Sequence, residues 1–455
     1  MQFFNSSLNA ASKKYLDEEK IDLDARRIST DAKYRDNHRK EIIEYCKRDA
    51  DLTARLGRLN SSLYQSIGVA SNKWYSTGYI AAKYFLTHSR VPRYHFVQPQ
   101  QYAYYSYAGG RFECFQRGYF EQAYKYDITS AYPYVISQLP NLDRGKWVRD
   151  TTVDYDADLI FARVRVTVPD NFVQPLHIKH KGVVLYPSTT SHYRIITKSE
   201  LEVIDEFELA TVDVCEAWHF YADSNERPFA SIRDIFKRRL ELRDAGDRRE
   251  YVLKKVMNSL YGKFIQVTTE LAPVLKHRVG NLFIPAYASE ITARTRMQLL
   301  RTTLERDMTP IAYFTDAILT SEPEELASEG LGSWSLETSG ELVLLGCGVY
   351  SFRDGAKIDT HLRGFESRKD ISLFDLLKSN ANKSSIRFDN ERPISLGEFA
   401  HRNLAVKGLH LNEWVSRSKN VYINFDRKRD WLVEWHRCSD VFHGSHHGLA
   451  LHITV

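Results

Sequence analysis

The sequence predicts a mixed α/β (α+β) protein of several subdomains, on three observations. Its 455 residues are enough for two to four of them. Hydrophobic residues make up 43% and charged residues 27%, which provides a core and excludes global disorder. Stretches of β texture alternate with stretches of helical texture. No apolar run approaches the roughly 18 residues of a membrane span. The N-terminus, MQFFNSSLNAASKKYLDEEK, lacks the basic and apolar regions of a secretory signal. The expectation is a soluble intracellular protein with no membrane partner. The five cysteines (Cys46, Cys114, Cys215, Cys347 and Cys438) form no CxxC pair, so metal chemistry is expected from oxygen ligands.

Along the chain, residues 31–60 read as one amphipathic helix with Ile42, Ile43, Leu52 and Leu56 on or near one face. Residues 74–87 read as a second helix, followed by a connection punctuated by Pro92 and Pro99. Tyr107-Ala-Gly-Gly is a turn before the short strand RFECF. From about 120 to 221 the β-branched and aromatic runs YKYDI, LIFARVRVTV and GVVLYP predict mostly strand. Residues 227–264 read as two helices flanking a turn at Gly246, and TPIAYFTDAILTS as a hairpin turning at Thr315–Asp316.

Three segments carry chemistry. In YKYDITSAYPYV, Asp127 ends a strand, where a carboxylate can hold a hard cation such as Mg²⁺, and Tyr132 lies one turn on. In KKVMNSLYGKF, Lys254, Asn258 and Tyr261 recur at helical spacing on one expected face, with Gly262 as the expected stop. Arg239 and Arg243 share the i, i+4 spacing on the preceding helix, so the two helices would clamp a triphosphate between converging cations. The stretch from Arg227 to Lys263 holds eleven Lys/Arg against five Asp/Glu, a net +6 against +5 for the whole chain. That clustering suits a polyanion. In AYFTDAILT, Asp316 is a second carboxylate presented by a sheet.

Together and in this order, the three segments resemble motifs A, B and C of the family B DNA polymerases. Motif A, usually DxxSLYP, reads Asp127-Ile-Thr-Ser-Ala-Tyr-Pro; motif B, usually KxxxNSxYG, is complete from Lys254 to Gly262. Motif C, usually YxDTDS, is reduced to Tyr313-Phe-Thr-Asp-Ala. Tyr107, Gly109 and Gly110 match the family's template-contacting YxGG. The resemblance runs from near residue 3 to the tail and is strongest to the organellar, viral and plasmid branch, which includes protein-primed members. It implies a right-hand polymerase that extends a DNA primer–template with deoxynucleoside triphosphates. Asp127, the Ile128 carbonyl and Asp316 would bind two Mg²⁺ ions about 3.5–4 Å apart, with Mn²⁺ able to substitute. Tyr132 would exclude a ribose 2′-OH. Lys254, Arg239 and Arg243 would bind the triphosphate, and Asn258 and Tyr261 would line the base pair. Residues 1–62 would be the C-terminal part of an exonuclease domain, 63–106 a connecting region and 107–226 the first part of the palm. The fingers would be 227–263, the second part of the palm 264–350 and the thumb 351–455. The site of action would be host cytoplasm or an organelle matrix.

The chain also departs from the family. Phe314 replaces the first aspartate of motif C and Ala317 its serine. The primer-contacting KxY appears as Gly348-Val-Tyr350, keeping the tyrosine and losing the lysine, with Arg363 near the start of the thumb as a further DNA contact. Tyr45 and Asp49 match the third proofreading motif, YxxxD, but its upstream partners are missing, which points to a separate or missing exonuclease segment. Some 93 residues separate Pro133 from Arg227, room for the subdomain that binds a terminal protein primer. The competing expectation is a catalytically silent, truncated polymerase remnant that only binds primer–template DNA.

Overall fold

The computed structural model describes residues 3–363, apart from 5, 94, 96, 181 and 271–275. Beyond them it describes 372–375, 385–394, 399, 414–422, 426, 428–431, 445–450, 452 and 453. Most of the expected thumb therefore lies outside the described residues. The chain divides into two units: Met1–Thr77 with Ser385–Tyr422, and Gly78–Ser384 with Ile423–Val455.

The first unit holds helices α1 (Leu8–Leu16), α2 (Ala25–Thr30), α3 (Ala32–Asn37) and α4 (Arg39–Gln65), and the antiparallel strands Ser385–Pro393 and Trp414–Tyr422. The single helix expected over 31–60 is broken. Asp31 caps α3 through the Tyr34 N–H, but α3 stops at Asn37: His38, at φ −111 and ψ 23, leaves helical geometry and α4 begins after it. On α4, Leu52 and Leu56 are buried as the periodicity requires, whereas Ile43 is 45% exposed.

The second unit opens with α5 (Thr77–His88) and α6 (Gln98–Ser106). Pro99 does not punctuate a loop: it sits in the first turn of α6, where a proline's missing N–H costs nothing. Then come β1 (Arg111–Cys114), β2 (Gln116–Ile128) and α7 (Ala131–Ile136). The next segment runs β3 (Gly145–Asp150), β4 (Leu159–Val168), β5 (Ile178–His180), β6 (Val183–Leu185), β7 (Ser188–Thr197), α8 (Lys198–Glu206) and β8 (Thr211–Ala222). Helices α9 (Ile232–Asp244) and α10 (Arg249–Asn258) follow, then β9 (Val267–Glu270), β10 (Lys276–Val279) and α11 (Pro285–Glu305). Last are β11 (Ala312–Thr315), β12 (Ala317–Thr320), β13 (Trp334–Gly346), β14 (Val349–Asp354) and β15 (Lys357–Leu362).

Two sheets organise this unit. The larger runs β1-β11-β12-β2-β13-β14-β15, and strand Ser445–Ala450 joins it through the start of β2. The second, β7-β4-β8-β3, has its own core around Ile160, Val164, Ile196 and Ala217. In β4 the sequence LIFARVRVTV alternates buried and exposed residues from Ala162 onward, as a strand with one covered face must. Residues 120–221 are thus mostly strand as expected, interrupted by α7 and α8.

Helix α11 is buried nearly all round although it carries Thr292, Thr295 and Thr303. Each threonine hydroxyl donates to a carbonyl one turn back, at 2.9–3.2 Å, so none is left unsatisfied. The expected turn at Gly246 is present, at φ +66, a conformation that glycine adopts without steric cost. Among the described residues, no helix is long and apolar enough to cross a membrane.

Candidate active site

The carboxylates of the first and third segments meet on the larger sheet. Asp127 ends β2 with Ala317 opposite it on β12, and Asp316 caps the β11–β12 hairpin. The Ile128 N–H donates to the Asp316 carbonyl at 2.9 Å, which fixes the hairpin tip beside the end of β2. Thr315 sits at φ +65, in the left-handed region that a β-branched residue seldom enters, so the tip is held under backbone strain.

Burial raises both carboxyls, and nearby negative charge adds to it. Asp127 is pushed up to about 7 by burial, then by the Asp316 and Glu337 charges, and Asp316 to about 6 chiefly by burial. Among the described residues, no side chain hydrogen-bonds or ion-pairs with the Asp127 carboxylate. A pair of carboxylates with no side chain bonded to them is the donor set that a hard divalent cation fits. The sequence reading missed two neighbours, Glu337 on β13 and Lys125 on β2, which form an ion pair at 2.6 Å and bear electrostatically on both aspartates. Lys125 stands two residues before Asp127 and so on the same sheet face. Glu337 follows a shift in strand register that no local pattern announces.

Above the carboxylates, three tyrosines from three segments converge. Tyr107 and Tyr261 are hydroxyl to hydroxyl at 2.6 Å, and the Tyr132 and Tyr261 rings lie 4.6 Å apart. Burial holds all of the Tyr132 and Tyr261 phenol protons well above their usual range. Gly110 has no room for a side chain: a Cβ would stand 2.6 Å from Thr315 Cγ2 and 2.7 Å from the Tyr132 hydroxyl. Gly109, by contrast, faces open space. The Tyr107–Gly110 turn is anchored from below by Arg296 of α11. Its guanidinium donates to the carbonyls of Ala108 and Gly109, both at 3.1 Å, and pairs with Glu200 at 3.0 Å. Glu200 also closes the capping box of α8, so one buried carboxylate serves both a helix end and the turn. Neither Arg296 nor Glu200 was legible as a site residue.

Several expected positions are corrected. Lys254 and Asn258 share an exposed face of α10, and the Lys254 charge bears on Asp127, but the helix ends at Asn258. Tyr261 therefore sits in a 3₁₀ turn with Gly262 instead of on the same helix face. Arg239 is committed to Glu250 at 3.3 Å, bracing α9 against α10, and the exposed Arg243 pairs with its neighbour Asp244. Of the three expected clamp cations, Lys254 is the one whose charge bears on Asp127, while both arginines are paired with acidic neighbours. Tyr350 is only 5% exposed, stacked between Phe314 and His361 with ring centroids 4.9 and 4.5 Å away, so its ring does not face open solvent. Phe314 stacks in turn on Phe112 at 4.9 Å, filling with aromatic surface the position where a carboxylate was missing. Arg363 lies over Phe112, 4.7 Å from its ring centroid, and its N–H donates to the Gly348 carbonyl. In the first unit, Tyr45 and Asp49 share a face of α4, and Lys20 reaches both, at 2.9 and 2.7 Å. An ammonium group there occupies the carboxylate that a metal would need.

The profile of the family described as DNA polymerase type B, organellar and viral, matches residues 3–272. A DNA polymerase of Acidianus bottle-shaped virus is 28% identical over 289 residues, 58% of this chain. The match covers 41% of that polymerase, so the chain spans less than half the length of this curated relative. Among solved structures, Phi29 DNA polymerase with primer–template DNA has a TM-score of 0.62 at 15% identity, covering 92% of this chain and 79% of the other. Its ternary complex with primer–template DNA and incoming nucleotides has a TM-score of 0.60 at 16% identity, covering 84% and 72%. These likenesses show the right-hand α/β fold, and the profile, matching more than half of the chain, shows its lineage: the protein belongs to the organellar and viral family of type B DNA polymerases.

Proposed function

We propose that the protein extends the 3′ end of a DNA primer on a DNA template, using deoxynucleoside triphosphates. The observation that carries this reading is the meeting of Asp127 and Asp316 at one end of the larger sheet, both raised and, among the described residues, neither carboxylate hydrogen-bonded or ion-paired to a side chain. Divalent cations bound there, Mg²⁺ by preference, supply charge stabilisation for the attacking 3′-oxygen and the leaving pyrophosphate. Asp127, Asp316 and the Ile128 carbonyl would hold them. Lys125 would keep Glu337 oriented toward the same cluster. Lys254 would meet the triphosphate, and the tyrosine cluster of 107, 132 and 261 would wall the sugar and base, with Tyr132 closing the space a 2′-OH needs. Gly109 and Gly110 let a strand approach the backbone closely.

The palm then corresponds to the larger sheet and the fingers to α9 and α10; the expected boundary at 351 does not hold as a palm limit, because β14, β15 and the strand Ser445–Ala450 continue the same sheet beyond it. The separately cored second sheet supports a further reading, that a terminal protein primer docks there. The Lys20 contacts support a silent proofreading remnant at Tyr45 and Asp49.

A second reading, a silent remnant that grips primer–template without chemistry, is favoured by one observation: Phe314 is packed in an aromatic stack where the family has a carboxylate. Primer extension with Mg²⁺, run beside Asp316→Asn and a gel shift on the same DNA, separates the two. Extension by the unmodified protein alone supports the polymerase. Binding without extension, in Mn²⁺ as in Mg²⁺, overturns it.

A further inference from the structure

The cysteines that the sequence leaves scattered do not stay so. Cys114 ends β1, and Cys347 lies 233 positions later in the turn between β13 and β14. Asp426 belongs to a C-terminal segment that folds back onto both. The three side chains are buried, at 0%, 6% and 4% exposure, and their ligand atoms all lie within 4.8 Å of one another. The Cys347 thiol donates to Asp426 Oδ2 at 3.1 Å and reaches the Phe112 carbonyl at 3.4 Å. Among the described residues the Asp426 carboxylate has no ion-pair partner within bonding reach; it accepts from the backbone N–H groups of Cys347 and Lys428. We infer that Cys114, Cys347 and Asp426 form a structural site for a thiophilic divalent cation of the zinc class, fastening the C-terminal segment to the sheet that carries Asp127 and Asp316.

The chemistry balances. Two thiols each release a proton and the cation takes their place, so the pocket keeps its net charge: the metal's +2 replaces two H⁺. Lys428, whose ammonium donates to the Phe112 carbonyl at 2.5 Å, stays as the counter-charge to the three anionic ligands. Two sulfurs and a carboxylate make a set that zinc accepts, and Phe112 offers a neutral oxygen beside them. The site is distinct from the aspartate pair. Along β1, Arg111 faces Thr315 whereas Cys114 faces Ala312, three residues or roughly 10 Å further down the strand. The same C-terminal segment is fixed nearby by Arg429, which pairs with the buried Glu113 at 2.9 Å. A cation there would add to an anchorage already built of buried polar contacts.

The test uses the full chain purified without chelator. Elemental analysis is expected to find about one tightly held zinc per chain, with Cys46→Ser and Cys215→Ser unchanged and with Cys114→Ser and Cys347→Ser losing at least nine-tenths of it. Cobalt loaded into the unmodified protein is expected to show thiolate-to-cobalt charge-transfer absorption, which the oxygen-only aspartate pair cannot produce. That second readout needs no mutant to fold. No zinc after incubation with zinc salts, together with no charge-transfer band, overturns the proposal. So does a Cys114–Cys347 disulfide in the isolated protein.

Discussion

Replacing Asp316 with asparagine is expected to stabilise the fold while it abolishes extension. In the protein free of divalent cations, Asp316 is pushed up to about 6 and Asp127 to about 7, from an ordinary value of 3.8. A carboxyl that holds its proton more tightly when folded favours the native state most below pH 4. That advantage is lost as pH rises through 6 to 7, because the native state must then ionise a buried pair. A rise of about two units corresponds to at most ~3 kcal/mol. Solvent screening at a partly exposed group brings this to about 1–2 kcal/mol. Asparagine cannot ionise and also removes its repulsion of Asp127. Urea unfolding followed by tryptophan fluorescence, with divalent cations removed, is expected to give equal stabilities near pH 4. Near pH 8 the variant should lead by about 1–2 kcal/mol. Saturating Mg²⁺ should raise the unmodified protein and leave the variant nearly where it was. A variant no more stable at pH 8, or a lead that persists unchanged at pH 4, refutes the electrostatic account.

Phe314→Asp, which restores the family's residue, is expected to lose roughly 3–5 kcal/mol in the same assay, since it removes a buried ring from the Phe112–Tyr350 stack and leaves a charge among aromatics. Gly110→Ala should lower the extension rate at least about tenfold with an unchanged circular dichroism spectrum, because its methyl group displaces Tyr132 or the hairpin tip. Arg296→Leu should cost about 3–5 kcal/mol in urea unfolding, leaving Glu200 buried and unpaired. Tyr132→Val should increase ribonucleotide incorporation, measured by extension with mixed triphosphates.

Much of the site was legible because it is made of local segments. Asp127 at a strand end, Asp316 at a hairpin tip and the helix pair around Gly246 each depend on residues within one turn or strand of themselves. What escaped depends on residues far apart. Glu337 reaches Lys125 across a register shift, Arg296 braces a turn nearly 190 positions earlier, and Cys114 finds Cys347 only through sheet order. Spacing motifs do not carry such information. Smaller misses had local causes: the helix expected over 31–60 is interrupted at His38, and Pro99 proved to be a helix start. Arg239 and Arg243 had the right spacing for a clamp, yet acidic neighbours at 250 and 244 had first claim on them.

The strand Ser445–Ala450 pairs with the first residues of β2, the same strand whose far end presents Asp127. A strand made early in synthesis thus waits through more than 300 residues for a neighbour. Until that neighbour leaves the ribosome, the start of β2 keeps unpaired backbone groups along one edge, a template for pairing with other chains. Contacts of such separation slow folding. A nascent chain stalled before residue 445 is therefore expected to be sticky as well as unfinished. Completion of this edge of the sheet would be tied to the synthesis of residues 445–447.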